Sequence, residues 1–164
     1  MQSQNKLQIE RQQRAAEITQ RLKSCAPEVL AQYPVEIAYL HGSVARGCPL
    51  PTSDVDIALV LTELPPPYEL KIQAALEDAC GLTNMDVRAI NDAPLMVQGS
   101  IIQEGTLLYS RDKERRITFE ILIRKKYFDY RPTATRMQQA FLEHIHQKGL
   151  FQHGQSKNPR LHSK

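Results

Sequence analysis

The chain has 164 residues, of which 41% are hydrophobic and 24% charged, and its net charge is +3 at pH 7. This composition is ordinary for a soluble globular protein of one domain. The chain has no apolar run near the roughly 20 residues that cross a membrane and no apolar N-terminal segment of a secretory signal, so we expect a cytoplasmic protein without membrane attachment.

Apolar periodicity and turn residues predict alternating helices and strands along the first 110 residues. The predicted elements are a helix over 5–33 stopped by Pro34, a strand over 35–40, a short helical turn over 44–47, a strand over 57–61, a helix over 68–80 closed by Gly81, a strand over 85–90, a helix over 93–104 stopped by Gly105, and a strand over 106–109. We therefore expect an α/β (α+β) fold with a small mixed sheet of about four strands flanked by helices.

The C-terminal third is predicted to be helical, with Pro132 separating one helix that starts near Asp112 from a second that ends near Lys148. One apolar stripe on the first of these helices is predicted to comprise Ile117, Ile121, Leu122 and Tyr127. The tail has no periodicity, and we expect it to be disordered. These patterns divide the chain into an N-terminal helix (1–34), a core (35–110), C-terminal helices (111–150) and a basic tail (151–164).

Charge is distributed unevenly along the chain. Residues 1–110 carry 8 Lys or Arg against 13 Asp or Glu, a net charge of −5, whereas residues 111–164 carry 13 against 5, a net charge of +8. The basic third either faces an acidic partner or nucleic acid, or is a solvated helix face with a basic tail. The three cysteines, Cys25, Cys48 and Cys80, are far apart and odd in number, which predicts no disulfide framework or zinc site and fits a reducing cytoplasm.

The most informative pattern is Gly42-Ser43, then ten residues, then Asp54-Val55-Asp56. Residues two apart on a strand point to the same face, so Asp54 and Asp56 are expected side by side at the start of a strand. Two adjacent carboxylates repel unless cations lie between them, and carboxylate oxygens suit Mg²⁺. A Gly-Ser turn offers backbone N–H groups and a hydroxyl to phosphate. Together these features predict a site for a nucleotide polyphosphate.

The same residues resemble the signature of the polymerase β-like nucleotidyltransferase superfamily. The form Gly42-Ser-x-Ala-Arg-Gly47, followed by Ser53-Asp-x-Asp56, is similar to its small branch, the minimal nucleotidyltransferases (MNT), and the resemblance extends from residue 35 to about residue 110. It assigns the third carboxylate to Asp86. It also implies two bound Mg²⁺ ions, ATP as substrate, and catalytic and metal-binding roles for all three aspartates.

The resemblance places phosphate beside Gly42 and Ser43, and Asp86 as the general base toward an attacking hydroxyl. Arg46 is expected either to pair with phosphate or to brace the loop against a carboxylate. His41 fits a packed residue at a strand end better than a catalytic group.

Minimal nucleotidyltransferases commonly act as antitoxins of HEPN ribonuclease toxins, to which they transfer AMP on a tyrosine hydroxyl. The resemblance therefore implies a Mg-dependent protein adenylyltransferase (AMPylation) in a hetero-oligomer with a HEPN toxin, rather than direct binding of nucleic acid. Two alternatives remain open at this stage. One is a free-standing enzyme that adenylylates a small molecule such as an aminoglycoside, and the other is an antitoxin that acts by contact alone.

Overall fold

Four strands and five helices make up the described parts of the chain. The structure is a computed structural model that describes residues 2–63 and 68–148, and it comprises two compact units that divide between Tyr127 and Phe128. The elements in chain order are α1 (Gln2–Leu30), β1 (Val35–His41), α2 (Gly42–Ala45), β2 (Val55–Leu61), α3 (Tyr68–Cys80), β3 (Met85–Ala89), α4 (Leu95–Glu104), β4 (Thr106–Ser110) and α5 (Lys113–Lys148). The predicted disordered tail lies outside the described residues.

The strands form one mixed sheet in the order β3-β2-β1-β4. β1 pairs antiparallel with both β2 and β4, whereas β2 and β3 are parallel and have α3 between them in the chain. A parallel pair needs such a long connection, and a helix is its usual form. The predicted α/β fold, with a mixed sheet of about four strands flanked by helices, is confirmed.

Helices cover both faces of the sheet. Apolar side chains of α1 and α3, among them Leu22 and Leu76, pack with Ile57 of β2 on one face. On the other face, side chains of α4 and α5 pack with Ala58 of β2. Because neighbouring residues of a strand point to opposite faces, Asp56 lies on the same face as Ala58. Among the described residues, no helix combines the length and apolar character needed to cross a membrane.

The helix boundaries differ from the prediction at both ends of the chain. α1 ends at Leu30, and the Tyr33 N–H then donates to the Leu30 carbonyl in a tight turn that reaches Pro34. At the other end, the predicted break at Pro132 is wrong, because α5 is a single helix with Pro132 inside it. A proline can kink a helix without ending it.

The apolar stripe predicted on α5 is also wrong in part. Ile121 is 62% exposed, and Ile117 and Leu122 are exposed too, whereas Ile123 and Tyr127 are buried. The buried pair is spaced i, i+4, so it forms the helix face that packs. The Tyr127 ring lies directly against the backbone of Gly99 in α4, where any larger residue would overlap it. Close packing on a glycine, rather than the longest apolar run, thus sets which side of α5 is buried.

The cysteine prediction is contradicted by the structure. Cys25 of α1 and Cys80 of α3 form a disulfide, with their Cα atoms 5.6 Å apart, and Cys48 is an exposed free thiol. The two bonded residues are 55 positions apart in the chain, but α1 and α3 pack side by side on one face of the sheet. Structural disulfides are rare in a reducing cytosol. The expected cytoplasmic location therefore stays a prediction.

Candidate active site

The Gly-Ser turn follows directly from the end of β1. Gly42 has a φ of +71°, which is in the left-handed region that favours glycine, and a Cβ atom placed on it would collide with the Asp56 carboxylate. The backbone of the turn therefore lies directly against one of the predicted site acids. Ser43 is the second residue of the short helix α2, and its carbonyl accepts a hydrogen bond of 3.0 Å from the Cys48 N–H, which folds the loop back on itself.

Strand register brings the predicted acids together. Asp56 is the second residue of β2, and it lies opposite Asp86 of β3 on one side and His41 of β1 on the other. The three side chains thus form a row across neighbouring strands. Asp54 lies just before β2 and is exposed, whereas Asp56 is partly buried. We call Asp54, Asp56 and Asp86 the acidic site.

The charges of this row influence one another. Burial raises the pKa of Asp56, the nearby Asp86 and Asp54 raise it further, and His41 opposes the shift. Burial also lowers the pKa of His41, against the opposing effect of Asp56 and Asp86. The raised pKa of Asp56 means that its negative charge is disfavoured here, as expected where carboxylates gather without a cation. His41 is the last residue of β1 and is partly buried, and a packing role for it stays a prediction.

Arg88 is a site residue that the sequence prediction missed. Its Nε lies 3.0 Å from each carboxylate oxygen of Asp86, and the two side chains are 76% and 42% exposed, respectively. The interaction raises the pKa of Arg88 through hydrogen bonding to Asp86 and through the charge of that carboxylate. A signal was present in the sequence, because Arg88 is two residues after Asp86 on a strand and must share its face.

The donor chemistry of the acidic site suits a divalent cation, but its side chains have not converged. Within the described ranges, no group of three His, Cys, Asp or Glu side chains is arranged to hold a metal ion. The carboxylate oxygens are the ligands that Mg²⁺ prefers, and Asp56 and Asp86 are already register partners. Arg88 donates to both oxygens of Asp86 and so competes with a cation for that carboxylate, but each oxygen keeps a further lone pair. The residues of the acidic site therefore fit a divalent cation.

Arg46 lies on the rim of this site. Its Nη1 is 3.7 Å from Oε2 of Glu104 at the end of α4, and both side chains are 55% exposed. This contact matches the expectation that Arg46 braces the loop against a carboxylate. The contact is long and open to water, so it leaves the guanidinium able to turn toward a phosphate. Pairing of Arg46 with phosphate stays a prediction.

A buried hydrogen-bond network behind the site was not foreseen from the sequence. The Tyr39 hydroxyl donates to Oε1 of Glu120 at 2.8 Å, and Arg116 Nη1 lies 2.8 Å from the same oxygen. Tyr39 is buried in β1 two residues before His41, so the network joins the central strand to α5. Burial and the bond to Glu120 raise the pKa of Tyr39, which keeps its hydroxyl protonated as a donor.

We compared the chain with curated protein sequences and with solved structures. No curated protein sequence matches the chain. A crystal structure of a toxin–antitoxin with AMP-PNP shares 18% sequence identity and a TM-score of 0.56, and the match covers 72% of this chain and 93% of that chain. A tri-AMPylated Shewanella oneidensis HEPN toxin in complex with an MNT antitoxin gives 16% identity, a TM-score of 0.55, and coverage of 77% and 98%. At such identities the likeness shows the fold.

The family match rests on sequence. Residues 26–114, just over half of the chain, match the model of the polymerase beta nucleotidyltransferase domain. This segment contains the Gly-Ser turn and all three members of the acidic site, and it leaves out most of α1 and α5. The chain therefore belongs to the polymerase beta nucleotidyltransferase family.

Proposed function

We propose that this chain is an antitoxin that transfers AMP from ATP to a tyrosine hydroxyl of a HEPN ribonuclease toxin and so silences it. The observation that carries the proposal is the direct contact between the Gly42 backbone and the Asp56 carboxylate. It brings a phosphate-binding turn next to acids that suit a divalent cation, which is the juxtaposition that transfer from a nucleoside triphosphate requires.

The proposed roles follow from position. Gly42 lets the triphosphate approach the backbone, and the Ser43 hydroxyl and N–H donate to its oxygens. Asp54, Asp56 and Asp86 would hold Mg²⁺, which when bound neutralises the phosphate charge and the charge that develops on the leaving pyrophosphate. The acceptor oxygen forms a bond to the α-phosphorus, and the bond to the β-phosphate oxygen breaks. Asp86 accepts the proton of the acceptor hydroxyl, and pyrophosphate leaves.

The proposed partner rests on two observations. The solved structures of similar fold include a HEPN toxin carrying AMP in complex with its antitoxin. In addition, exposed Ile117 and Ile121 lie one helical turn apart on α5 and offer an apolar surface to another protein. AMP on the toxin adds negative charge and bulk, which would exclude RNA from a ribonuclease site.

Intact mass spectrometry tests the proposal. A candidate HEPN toxin is incubated with this chain, ATP and Mg²⁺, and we expect it to gain one or more AMP units. The variant Asp54→Ala/Asp56→Ala should abolish the gain. The matched variant Asp78→Ala/Asp92→Ala removes two exposed acids outside the site and should retain it.

The other outcomes separate the alternatives. If the toxin is neutralised without any mass gain, and Asp54→Ala/Asp56→Ala still neutralises it, the chain is an antitoxin that acts by contact and not an enzyme. If no complex with the toxin forms and AMP is transferred to a small hydroxylated molecule, the chain is a free-standing enzyme that modifies small molecules.

A further inference from the structure

A cleft lies between the first half of α1 and the loop that follows the Gly-Ser turn. One cavity of about 370 Å³ is lined by residues of α1 and by Arg46, and a second of about 250 Å³ is lined by α1 and the proline-containing part of the loop. Leu7 and Arg11 line both cavities, so the two are neighbours along α1. We call this space, between residues 4–14 and 46–51, the α1 cleft.

The α1 cleft gathers positive charge that the protein itself does not neutralise. Arg11, Arg14 and Arg46 all line it. Within the described residues, Arg11 and Arg14 form no ion pair, and Arg46 has only its long contact with Glu104. Glu10 also lines the cleft, but its carboxylate is 4.0 Å from Lys6 Nζ. Three guanidinium groups and a single lining carboxylate, that of Glu10, leave the cleft with a net positive charge, which indicates an anionic ligand.

The amide groups of the cleft narrow the class of anion. Gln4, Gln8 and Gln12 are spaced four residues apart, so they form one stripe on α1, and all three line the larger cavity. Side-chain amides both donate and accept hydrogen bonds, as sugar hydroxyls and base edges require. Guanidinium groups bind phosphate oxygens in a bidentate manner. The combination fits a phosphate ester of a nucleotide better than a carboxylate-rich peptide.

Two further facts separate this cleft from the acidic site. The first half of α1 lies outside the segment that matches the nucleotidyltransferase family, so one wall of the cleft comes from outside that segment, whereas the wall over 46–51 lies inside it. α1 also packs on the face of the sheet opposite to the one that carries Asp56. Arg46 is the link, because it lines the cleft and borders the acidic site.

We propose that the α1 cleft is a second, metal-independent binding site for a phosphate-bearing ligand, either the backbone of single-stranded RNA or a free polyphosphate. Arg11 and Arg14 bind phosphate oxygens, and Arg46 extends the positive surface toward the Gly-Ser turn. When the ligand is RNA, the glutamine stripe also contacts its sugar or base. The proposal does not depend on catalysis, because it assigns no role to the three aspartates.

Binding of two probes in EDTA tests this site without any metal-dependent contribution from the acidic site. The probes are a fluorescent single-stranded RNA of about 12 nucleotides, followed by anisotropy, and inorganic tripolyphosphate, followed by calorimetry. For Arg11→Gln/Arg14→Gln we expect RNA binding at about 0.1 M salt to weaken by roughly tenfold, and the slope of log Kd against log salt to fall by about 2. Lys23→Gln/Lys71→Gln removes two exposed charges outside the cleft and should change neither value.

Two more variants keep the test decisive. Gln8→Glu places a negative charge in the cleft at an exposed helical position, and it should weaken binding even if the double arginine variant folds poorly. Asp54→Ala/Asp56→Ala should bind both probes normally, whether or not the chain transfers AMP. If RNA binds and its binding is lost only in the cleft variants, the ligand is a phosphodiester. If only tripolyphosphate binds, and its binding is lost only in the cleft variants, the ligand is a free polyphosphate. Failure of both probes to bind, or equal loss in the lysine variant, overturns the proposal.

Discussion

Gly42 and Asp56 are held in place by the backbone, whereas Arg46 and Arg88, which we call the rim arginines, are held by exposed side-chain pairs. Strand register sets Asp56 opposite Asp86, and the positive φ of Gly42 sets the turn against Asp56. The rim arginines instead contact Glu104 and Asp86 across surfaces open to water. Backbone geometry of this kind costs about 1–3 kcal/mol to alter. Exposed ion pairs contribute little to stability.

This difference indicates which parts of the site are built in advance and which respond to a ligand. The turn and the backbone of Asp56 keep their positions because the buried sheet determines them. At little energetic cost, Arg46 can leave Glu104 to bind a phosphate, and Arg88 can leave Asp86 when that carboxylate binds a cation. Substitutions at the two kinds of position should therefore have effects of very different size.

Asp56→Asn tests the backbone-held part and should have the largest effect. We expect the rate of nucleotidyl transfer to fall by about 10³-fold, because one metal-binding carboxylate is lost at the centre of the row. Stability should stay equal or rise slightly, because burial and the charges of Asp86 and Asp54 disfavour a carboxylate at this position. Activity assays and thermal unfolding measure the two effects, with Asp78→Asn as the control. Unchanged activity would remove Asp56 from the catalytic site.

Gly42→Ala should be the next most severe. An added Cβ adopts an unfavourable φ and collides with the Asp56 carboxylate, so we expect activity to fall by about 10²-fold and stability by about 1–3 kcal/mol. Gly47→Ala is a matched control, since Gly47 has a φ of +73° but open space around its Cβ position. The two variants should show similar backbone strain, and the activity difference between them measures the collision with Asp56. Equal activities would show that the collision is relieved without consequence.

The sequence allowed the strands to be predicted closely, because most of the apolar runs have Gly, Pro or Asn at one or both ends, as Pro34 and Gly42 flank β1. The helix over 68–80 was predicted with the boundaries that α3 has. Placing Asp56 inside β2, rather than at its start, needed the structure, because only the register with β3 shows that pairing begins at Val55.

Other features depend on which elements become neighbours, and periodicity along one element does not report that. The Cys25–Cys80 disulfide joins helices whose contact arises from packing on a shared sheet face. Tyr39 and Glu120 are 81 positions apart and meet only because α5 covers β1. The exposed side of α5 was assigned incorrectly because Gly99, in another helix, decides which side is buried.

Glu120→Ala tests a buried support of the backbone-held part. The substitution leaves the buried Tyr39 and the partly buried Arg116 guanidinium without their shared acceptor, so we expect a loss of about 1–2 kcal/mol of stability. Activity of the folded variant should fall less than in Gly42→Ala, because Glu120 touches no member of the acidic site. Urea unfolding measures the loss, and Glu28→Ala on the exposed side of α1 is the control. An equal loss in both would show that the network adds no stability.

Arg88→Ala tests the rim and should have the smallest effect, of opposite sign. Arg88 occupies both oxygens of Asp86 and adds a positive charge beside the predicted cation site. Because an exposed ion pair contributes little, we expect its removal to tighten Mn²⁺ binding by only roughly two- to fivefold. Calorimetric titration of the protein with Mn²⁺ measures this directly, with Lys71→Ala as a control that removes an exposed charge elsewhere. Weaker Mn²⁺ binding in Arg88→Ala would mean that Arg88 orients Asp86 for the cation instead of competing with it, and would place Arg88 among the preorganised residues of the site.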